Sequence, residues 1–297
     1  MTAIIETRKL TKSYGKSRGI VEVDLAVDEG EVFGFLGPNG AGKTTTIRVL
    51  LDHIRPTSGS AMVFGIESHA DPVAIHRRIG YLPGEFTLYD RLTGGQTLQY
   101  FANLRGGVDP AYQASLVERL DLDPSRRVKE YSQGNKQKVG LVIALQHRPD
   151  LLMLDEPTSG LDPLVQQAFF EILGESVAGG ATVFLSSHIL SEVEKSCDRV
   201  AIIREGRLAK VGRVDALRDL AHHQVELRFA GDVPVAAFEV LPGVSEVALD
   251  DHTLRMRVSG AITPVVQAAA QYDLLDFVSR EPSLEETFLA QYGREAE

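Results

Sequence analysis

The sequence of 297 residues lacks three features that define large classes of proteins. It contains one cysteine, Cys197, which excludes an internal disulfide, favours a reducing compartment and is itself expected in the core. No uninterrupted apolar run approaches about 18 residues, so no segment is expected to cross a bilayer as a helix. The first residues, MTAIIETRKL, lack the basic and then apolar order of a secretory signal. We therefore expect a soluble globular protein.

Net positive charge is also missing, and the negative charge is concentrated toward the C-terminus. The formal net charge is −10, and Gln224–Glu297 alone carries 13 acidic and 5 basic residues. Nucleic-acid binding depends on neutralising phosphates with basic side chains, so this composition predicts no nucleic-acid partner. It leaves open a protein partner with a basic surface.

Short apolar runs alternate with helical patterns in the first two thirds of the chain. Glu31–Gly37, Leu151–Pro157 and Ala181–Ser187 have the length and composition of buried strands, and each precedes a segment with helical spacing. The first of these segments, AGKTTTIRVLLDHI, is predicted to be one helix. This order predicts an α/β fold in which helices cover a largely parallel sheet. Residues 92–146 show helical spacing without a clear strand, which predicts a helical insertion in the α/β core.

The chain after about Gln224 starts a new pattern. Short strands are predicted at VELRF, VSEVAL and TLRMRV, and helices at PVAAFEVL, ITPVVQAAAQY and SLEETFLAQY. A β-α-β-β-α-β order is typical of a small ferredoxin-like α+β domain, here followed by a closing helix. We therefore predict one domain over residues 1–222 and a C-terminal accessory domain over residues 223–297.

A phosphate-binding loop is predicted between the first of these strands and the helix that follows it. The segment GPNGAGKT matches G-x-x-x-x-G-K-[ST] in the strand-loop-helix context that this pattern requires. Its glycines let backbone N–H groups face phosphates, Lys43 can reach the β- and γ-phosphates, and the Thr44 hydroxyl can bind Mg²⁺. The predicted ATP-binding residues are Gly37, Pro38, Asn39, Gly40, Ala41, Gly42, Lys43, Thr44 and Thr45. The alternative is a glycine-rich turn that binds no ligand.

An acidic pair ends the second apolar run, LLMLDEP. Asp155 and Glu156 are expected at the C-terminal edge of a parallel sheet, where ligands bind in folds of this kind. Asp155 is predicted to hold Mg²⁺, and Glu156 to orient or deprotonate an attacking water. The alternative is two solvated acids at the end of a strand.

Two further side chains are candidates for nucleotide contacts. His188 follows the third apolar run and can reach a γ-phosphate from the end of that strand; a histidine at such a place also often caps a helix or packs. Tyr14 can stack on an adenine, or it can be an ordinary aromatic at the edge of a sheet.

Taken in order along the chain, these motifs resemble the ATP-binding subunit of an ATP-binding cassette (ABC) transporter, over about Ile4 to Val214. The resemblance also rests on two further segments. SGLD is at Ser159–Asp162, and YSQGNKQK, which begins at Tyr131, lies where the family has its signature, usually LSGGQ. It implies a phosphate-loop NTPase cassette with a RecA-like core and a helical subdomain. It also implies catalytic roles for Lys43, Glu156 and His188. Nucleotide contacts are implied from Ser132, Gly134 and Asp162.

The end of the chain indicates one subgroup of this family. SLEETFLAQYG is similar to the tail of the subgroup that exports drugs and antibiotics, in which the cassette and the membrane permease are separate polypeptides. This implies a cytoplasmic ATPase, peripheral on the inner face of the cell membrane and docked on a permease. It also implies a homodimer, in which each ATP lies between the phosphate loop of one copy and Ser132 and Gly134 of the other.

Two departures from the family pattern stand out. The signature keeps Ser132 and Gly134 but has Tyr131, Gln133 and Asn135 where the family has leucine, glycine and glutamine. No glutamine occurs between Thr45 and Gly95, and the position at which the family has one is Gly84, followed by Glu85. Either Glu85 takes that role or water completes the metal shell.

Two other functions fit the cassette motifs. A soluble ABC ATPase that acts on ribosomes or nucleic acid usually carries two cassettes or long coiled coils, and the acidic tail of this chain opposes phosphate binding. A regulator that binds ATP without hydrolysing it would not need Glu156.

Overall fold

The computed structural model describes residues 3–15, 17–215, 223–231, 235–259 and 261–280. The chain divides into two compact units, Met1–Gly212 and Arg213–Glu297. The boundary predicted after residue 222 adjoins residues 216–222, and the predicted closing helix SLEETFLAQY begins at Ser283; both lie outside the described residues.

The strands of the first unit form two sheets. The first has the order β2-β1-β4-β5 and the second the order β10-β9-β3-β8-β7-β6. The strand bounds are β1 (Ala3–Tyr14), β2 (Ser17–Asp28), β3 (Val32–Leu36), β4 (Ser58–Val63), β5 (Ile66–Glu67), β6 (Ile79–Leu82), β7 (Leu151–Asp155), β8 (Thr182–Ser187), β9 (Arg199–Arg204) and β10 (Arg207–Arg213).

The second sheet confirms the predicted parallel core. Its central strand, β3, pairs in parallel with β8 and β9, and β7 pairs in parallel with β6 and β8. In register, Leu36 faces Ser187, and Asp155 faces Ser186. The C-terminal ends of three strands that carry predicted site residues therefore meet at one edge of the sheet.

Helices cover this sheet and form the insertion. Their bounds are α1 (Lys43–Leu50), α2 (Pro72–Arg77), α3 (Gly94–Leu104), α4 (Pro110–Arg119), α5 (Gln133–Leu145), α6 (Pro163–Ala178) and α7 (Leu190–Ser196). In the described part of the chain, no helix combines the length and the apolar character needed to cross a bilayer. The predicted helix AGKTTTIRVLLDHI is longer than α1, because Gly42 at φ 117° and Asp52 at φ 54° lie in the left-handed region on either side of it.

The core lies on both faces of the parallel sheet. Along β7, Leu151 and Met153 belong to the cluster on one face, and Leu152 and Leu154 to the cluster on the other. Successive side chains of a strand point to opposite faces, so a strand covered on both sides is apolar throughout. This explains the unbroken apolar run that precedes Asp155.

The insertion is held against the edge of the sheet. Its helices α3, α4 and α5 fall within residues 92–146. Arg105, which directly follows α3 as its C-cap, donates from its guanidinium to the carbonyls of His76 and Ile79 at 2.9 and 2.8 Å. At Gly80 in β6, an added Cβ would lie 2.1 Å from the Ala144 carbonyl oxygen of α5. The absence of a side chain at Gly80 therefore lets α5 pack directly on β6.

The second unit has the predicted β-α-β-β-α-β order. Its elements are β11 (His223–Phe229), α8 (Val235–Glu239), β12 (Val244–Asp250), β13 (Thr253–Val258), α9 (Thr263–Ala269) and β14 (Leu274–Arg280). The sheet order is β12-β13-β11-β14, with antiparallel pairing throughout. Phe229, Phe238 and Val265 lie in a core separate from those of the first unit. This topology is that of a ferredoxin-like domain.

Replacing Gly80 by alanine should destabilise the protein by about 1–3 kcal/mol, because the new methyl group must push α5 away from β6. The free energy of unfolding, measured by denaturant titration, tests this expectation. Gly174→Ala is the matched control: Gly174 lies inside α6, and its added Cβ would meet no atom within 4 Å. This control should gain about 0.5–1 kcal/mol from its lower unfolded-state entropy. Equal effects of the two substitutions would contradict the packing account.

Candidate functional site

The predicted phosphate loop lies between β3 and α1, at the C-terminal edge of the parallel sheet. Gly37 leaves the sheet with its N–H donating to the Ser187 carbonyl at 3.2 Å. An added Cβ at Gly37 would lie 2.3 Å from the Ile203 carbonyl oxygen, so only glycine fits. Gly40 and Gly42 have φ of +78° and +117°, which bend the backbone into the start of α1. A helix N-terminus of this kind favours anions.

Lys43 points back into this loop. It is 6% exposed, and its Nζ donates to the Gly37 carbonyl at 2.6 Å and lies 3.1 Å from Glu156 Oε1. The ammonium group of Lys43 and the carboxylate of Glu156, which directly follows β7, therefore form an ion pair.

Thr44 and Asp155, the two predicted Mg²⁺ ligands, are in direct contact. The Thr44 hydroxyl donates to Asp155 Oδ2 at 2.7 Å. The other carboxylate oxygen, Oδ1, accepts a hydrogen bond of 2.5 Å from the Ser186 hydroxyl. Asp155 is 1% exposed, and its carboxylate is held by one partner in α1 and one partner on β8.

Glu156 has a backbone conformation that is unfavourable for a glutamate. Its φ is +51°, in the left-handed region, which costs about 1–3 kcal/mol for a residue with a side chain. Its N–H donates to the carbonyl and the hydroxyl of Ser186, at 3.1 and 3.2 Å. The resulting turn directs the carboxylate out of the sheet, where Oε2 lies 2.8 Å from His188 Nδ1.

The structure therefore brings Lys43, Thr44, Asp155, Glu156 and His188 into one contiguous group. Glu156 lies between the ammonium group of Lys43 and the imidazole of His188. His188 is 47% exposed, so one face of the group is open to a substrate. In this arrangement, the buried cation can bind phosphates, and the carboxylate and the open imidazole can activate a water molecule beside them.

The signature segment forms the N-terminus of α5. The Ser132 hydroxyl oxygen caps the helix by accepting from the Asn135 backbone N–H at 3.3 Å and from Asn135 Nδ2 at 3.2 Å. Because both contacts use the oxygen as an acceptor, the hydroxyl hydrogen of Ser132 is left to donate elsewhere. Asn135, one of the three atypical residues of the signature, thus orients the serine.

Gly134 has a packing role that its sequence position did not reveal. An added Cβ there would lie 2.3 Å from the Gly160 carbonyl oxygen, so the start of α5 rests on the SGLD segment. Asp162 in that segment caps α6, accepting at Oδ1 from the N–H groups of Leu164 and Val165, each at 3.1 Å. Among the described residues, no hydrogen bond or ion pair joins Ser132, Gly134 or Asp162 to the phosphate loop.

Tyr14 ends β1 and faces Ser17 across a tight hairpin. The returning strand passes the phosphate loop, since an added Cβ at Gly42 would lie 2.7 Å from Ile20 Cγ2. The Tyr14 ring is 44% exposed, and Lys12 Nζ lies 5.4 Å from its centre. An exposed aromatic face on this hairpin is able to stack on a base.

Gly84 lies beside the carboxylate of Asp155. An added Cβ at Gly84 would be 3.2 Å from Asp155 Oδ2, and the next side chain, Glu85, is exposed. Nearby, burial and the negative charge of Asp155 raise the pKa of Tyr81 to about 12. Tyr81 therefore stays neutral at physiological pH.

Sequence reasoning missed two residues that build this site. Ser186 supports both Asp155 and Glu156, and Gln137 donates to the carbonyls of Glu156 and Pro157. The sequence contains a signal for Ser186 only: this residue precedes Ser187 and His188 at the end of an apolar run, where site residues are expected. Gln137 lies 19 residues before Glu156 in the sequence, and nothing in that spacing indicates a contact.

Comparison with known proteins gives a consistent result. A family model described as "ABC transporter" matches residues 20–159. The bacitracin transport ATP-binding protein BcrA of Bacillus licheniformis is 33% identical, and the match covers 99% of this chain and 98% of BcrA.

The daunorubicin resistance ATP-binding protein DrrA2 of Streptomyces coeruleorubidus is also 33% identical, with coverage of 99% of this chain and 96% of DrrA2. A solved structure titled "Structure of ATP binding subunit of ABC transporter" superposes with a TM-score of 0.66 at 33% identity. That match covers 72% of this chain and 92% of the solved chain. With relatives of this identity matched over nearly their whole length, the chain belongs to the ATP-binding proteins of the ABC transporter family, which bind and hydrolyse ATP.

Proposed function

We propose that this protein hydrolyses ATP between two copies of itself to energise a separate membrane permease that exports a drug or antibiotic. The observation that carries the hydrolytic part is the position of Glu156 between Lys43 and His188, at 3.1 and 2.8 Å. A carboxylate held there can accept a proton from a water that attacks the γ-phosphate. Lys43 offsets the charge that develops on the phosphates, and His188 holds the carboxylate from the open side.

Mg²⁺ fits the contact between Thr44 and Asp155. A hydroxyl and a carboxylate, oxygen ligands of the kind this ion prefers, lie 2.7 Å apart beside the phosphate loop. When bound, the ion would neutralise charge on the β- and γ-phosphates. Gly84 adds no side-chain ligand and Glu85 is exposed, so water rather than residue 84 would complete the coordination.

A second copy supplies what one chain lacks. Each chain has one phosphate loop and one signature, and the signature contacts its own SGLD segment rather than its own loop. The hydroxyl hydrogen of Ser132 and the N-terminus of α5 suit a γ-phosphate presented by a partner chain. Asp162 of the SGLD segment would lie at the same junction.

We assign the permease contact to an exposed aromatic pair of which Tyr89 lies just before the insertion and Tyr100 lies in its first helix, α3. Tyr89 and Tyr100 are 57% and 42% exposed, and their rings meet edge to face at 5.7 Å. Exposed aromatic rings of this kind favour a protein interface. Tyr89 follows Gly84 and Glu85 in the loop after β6, so a permease bound there would contact the loop in which Gly84 lies beside Asp155. Such a contact would place the protein on the inner face of the membrane.

Export of a drug or antibiotic is supported by the names of the relatives. BcrA is named for bacitracin transport, and DrrA2 for daunorubicin resistance. Both names describe ATP-binding proteins, which supports a substrate site on another polypeptide.

Replacing Glu156 by glutamine should lower the ATPase rate by at least about a hundredfold, because the amide cannot accept the proton of the attacking water. ATP binding should persist, since Lys43 and the loop are unchanged, and the ATP-bound dimer should accumulate on size-exclusion chromatography. Glu171→Gln, the same change on the exposed side of α6, is the control and should match the wild type. Wild-type turnover by Glu156→Gln would remove Glu156 from the role of general base.

Replacing Ser132 by alanine should abolish the ATP-dependent dimer while leaving ATP binding to the single chain intact. Thr93→Ala is the matched control, because Thr93 caps α3 in the same insertion through its hydroxyl. Each substitution should cost about 1 kcal/mol of stability through the lost cap. Analytical ultracentrifugation with ATP should show loss of the dimer for Ser132→Ala alone. A normal dimer in that variant would contradict the two-chain site.

A further inference from the structure

Gln137 is a buried polar residue that links two parts of the site. It lies in the second turn of α5 and is 1% exposed. Its Nε2 donates to the Glu156 carbonyl at 3.1 Å and to the Pro157 carbonyl at 3.0 Å. Both amide hydrogens are thereby used on the turn that follows β7.

This contact fixes the unfavourable conformation of Glu156. The φ of +51° is sustained only if neighbouring groups hold the peptides on both sides of the residue. Ser186 binds the N–H of Glu156, and Gln137 binds its carbonyl. Without Gln137, the buried hydrogen bond to the Pro157 carbonyl would be lost, and the Glu156 carbonyl would keep only the Ser159 N–H at 3.2 Å. The turn could then relax toward a conformation that moves the carboxylate away from Lys43.

The same helix begins at the signature. Ser132 caps α5, and Gly134 lies against Gly160, so the first turn of the helix is fixed on the segment that follows Glu156. Gln137 is one turn further along the same helix and touches Glu156 and Pro157 themselves. A shift of the N-terminus of α5 along the helix axis would therefore be transmitted to the Glu156 peptide through one turn of the helix.

We propose that Gln137 is a positioning residue that couples the two ATP sites of the dimer. This inference rests on the proposed two-chain site. The N-terminus of α5 meets the ATP held by the partner chain, while Gln137 sets the carboxylate of Glu156 for the ATP held by its own chain. Engagement of one ATP by the signature thus aligns the general base at the other ATP.

The test is the ATPase rate of the full-length chain as a function of ATP concentration, together with the ATP affinity of each variant. Gln137→Leu removes both donors at similar volume and should lower kcat by roughly tenfold to a hundredfold, the range expected for a misplaced reactive group. The Hill coefficient should fall from above 1 toward 1. The dissociation constant for ATP should stay within about twofold, because the phosphate loop is untouched.

Gln146→Leu is the matched control. Gln146 follows the other end of α5, is also 1% exposed and accepts from Gln113 Nε2 at 2.6 Å, away from Glu156. It should keep the wild-type kcat and Hill coefficient, whatever stability it loses. Gln137→Met, with a flexible chain of similar length, replaces the leucine variant if that variant does not fold, and the same kinetic changes are expected.

The outcomes separate the two proposals. If the wild type dimerises with ATP and titrates cooperatively, but a folded Gln137 variant keeps the wild-type kcat and Hill coefficient, the role of Gln137 is wrong and the two-chain site stands. If the wild type forms no ATP-dependent dimer, the two-chain site and the coupling fail together. An equal loss of kcat in Gln146→Leu would also overturn the inference, because it would indicate a general effect of α5.

Discussion

The left-handed peptide of Glu156 is the constraint on which the rest of the site depends. It turns the chain out of the sheet directly after Asp155, so that one carboxylate faces the Thr44 hydroxyl and the next faces Lys43 and His188. That turn is costly by itself, and hydrogen bonds from the Glu156 N–H to Ser186 and from Gln137 to its carbonyl stabilise it. The parallel sheet, with its fixed register, provides the rigid edge on which these groups meet.

One chain assembles only part of the site that we propose. The proposed base, the Lys43 ammonium group and the proposed metal ligands are in contact, whereas the signature lies against its own SGLD segment and has a hydroxyl hydrogen left to donate. In the dimer that we propose, a second copy would bring one helix N-terminus to each phosphate loop. Because Gln137 joins that helix to Glu156, completing one site would also act on the other.

Much of this arrangement could be predicted from the sequence because its motifs depend on local geometry. The apolar run before Asp155 and the glycines around Lys43 encode a buried strand and a tight turn, and the structure contains both. Contacts between distant segments could not be predicted, since Gln137 has no periodic or compositional signal that points to Glu156. The end of α1 was also misjudged, because a left-handed Asp52 stops a helix whose apolar pattern continues.

The most direct test of the two-chain site mixes two inactive variants, Lys43→Ala and Ser132→Ala. A mixed dimer has one site with both defects and one site in which the intact phosphate loop meets an intact signature. ATPase activity of the mixture should exceed that of either variant alone and should follow the fraction of mixed dimers. It should stay below the rate of one wild-type site, because Glu156 of the intact site belongs to the chain whose own signature carries Ser132→Ala. A mixture that forms mixed dimers and recovers no activity would contradict the account, because each chain would then have to complete its own site.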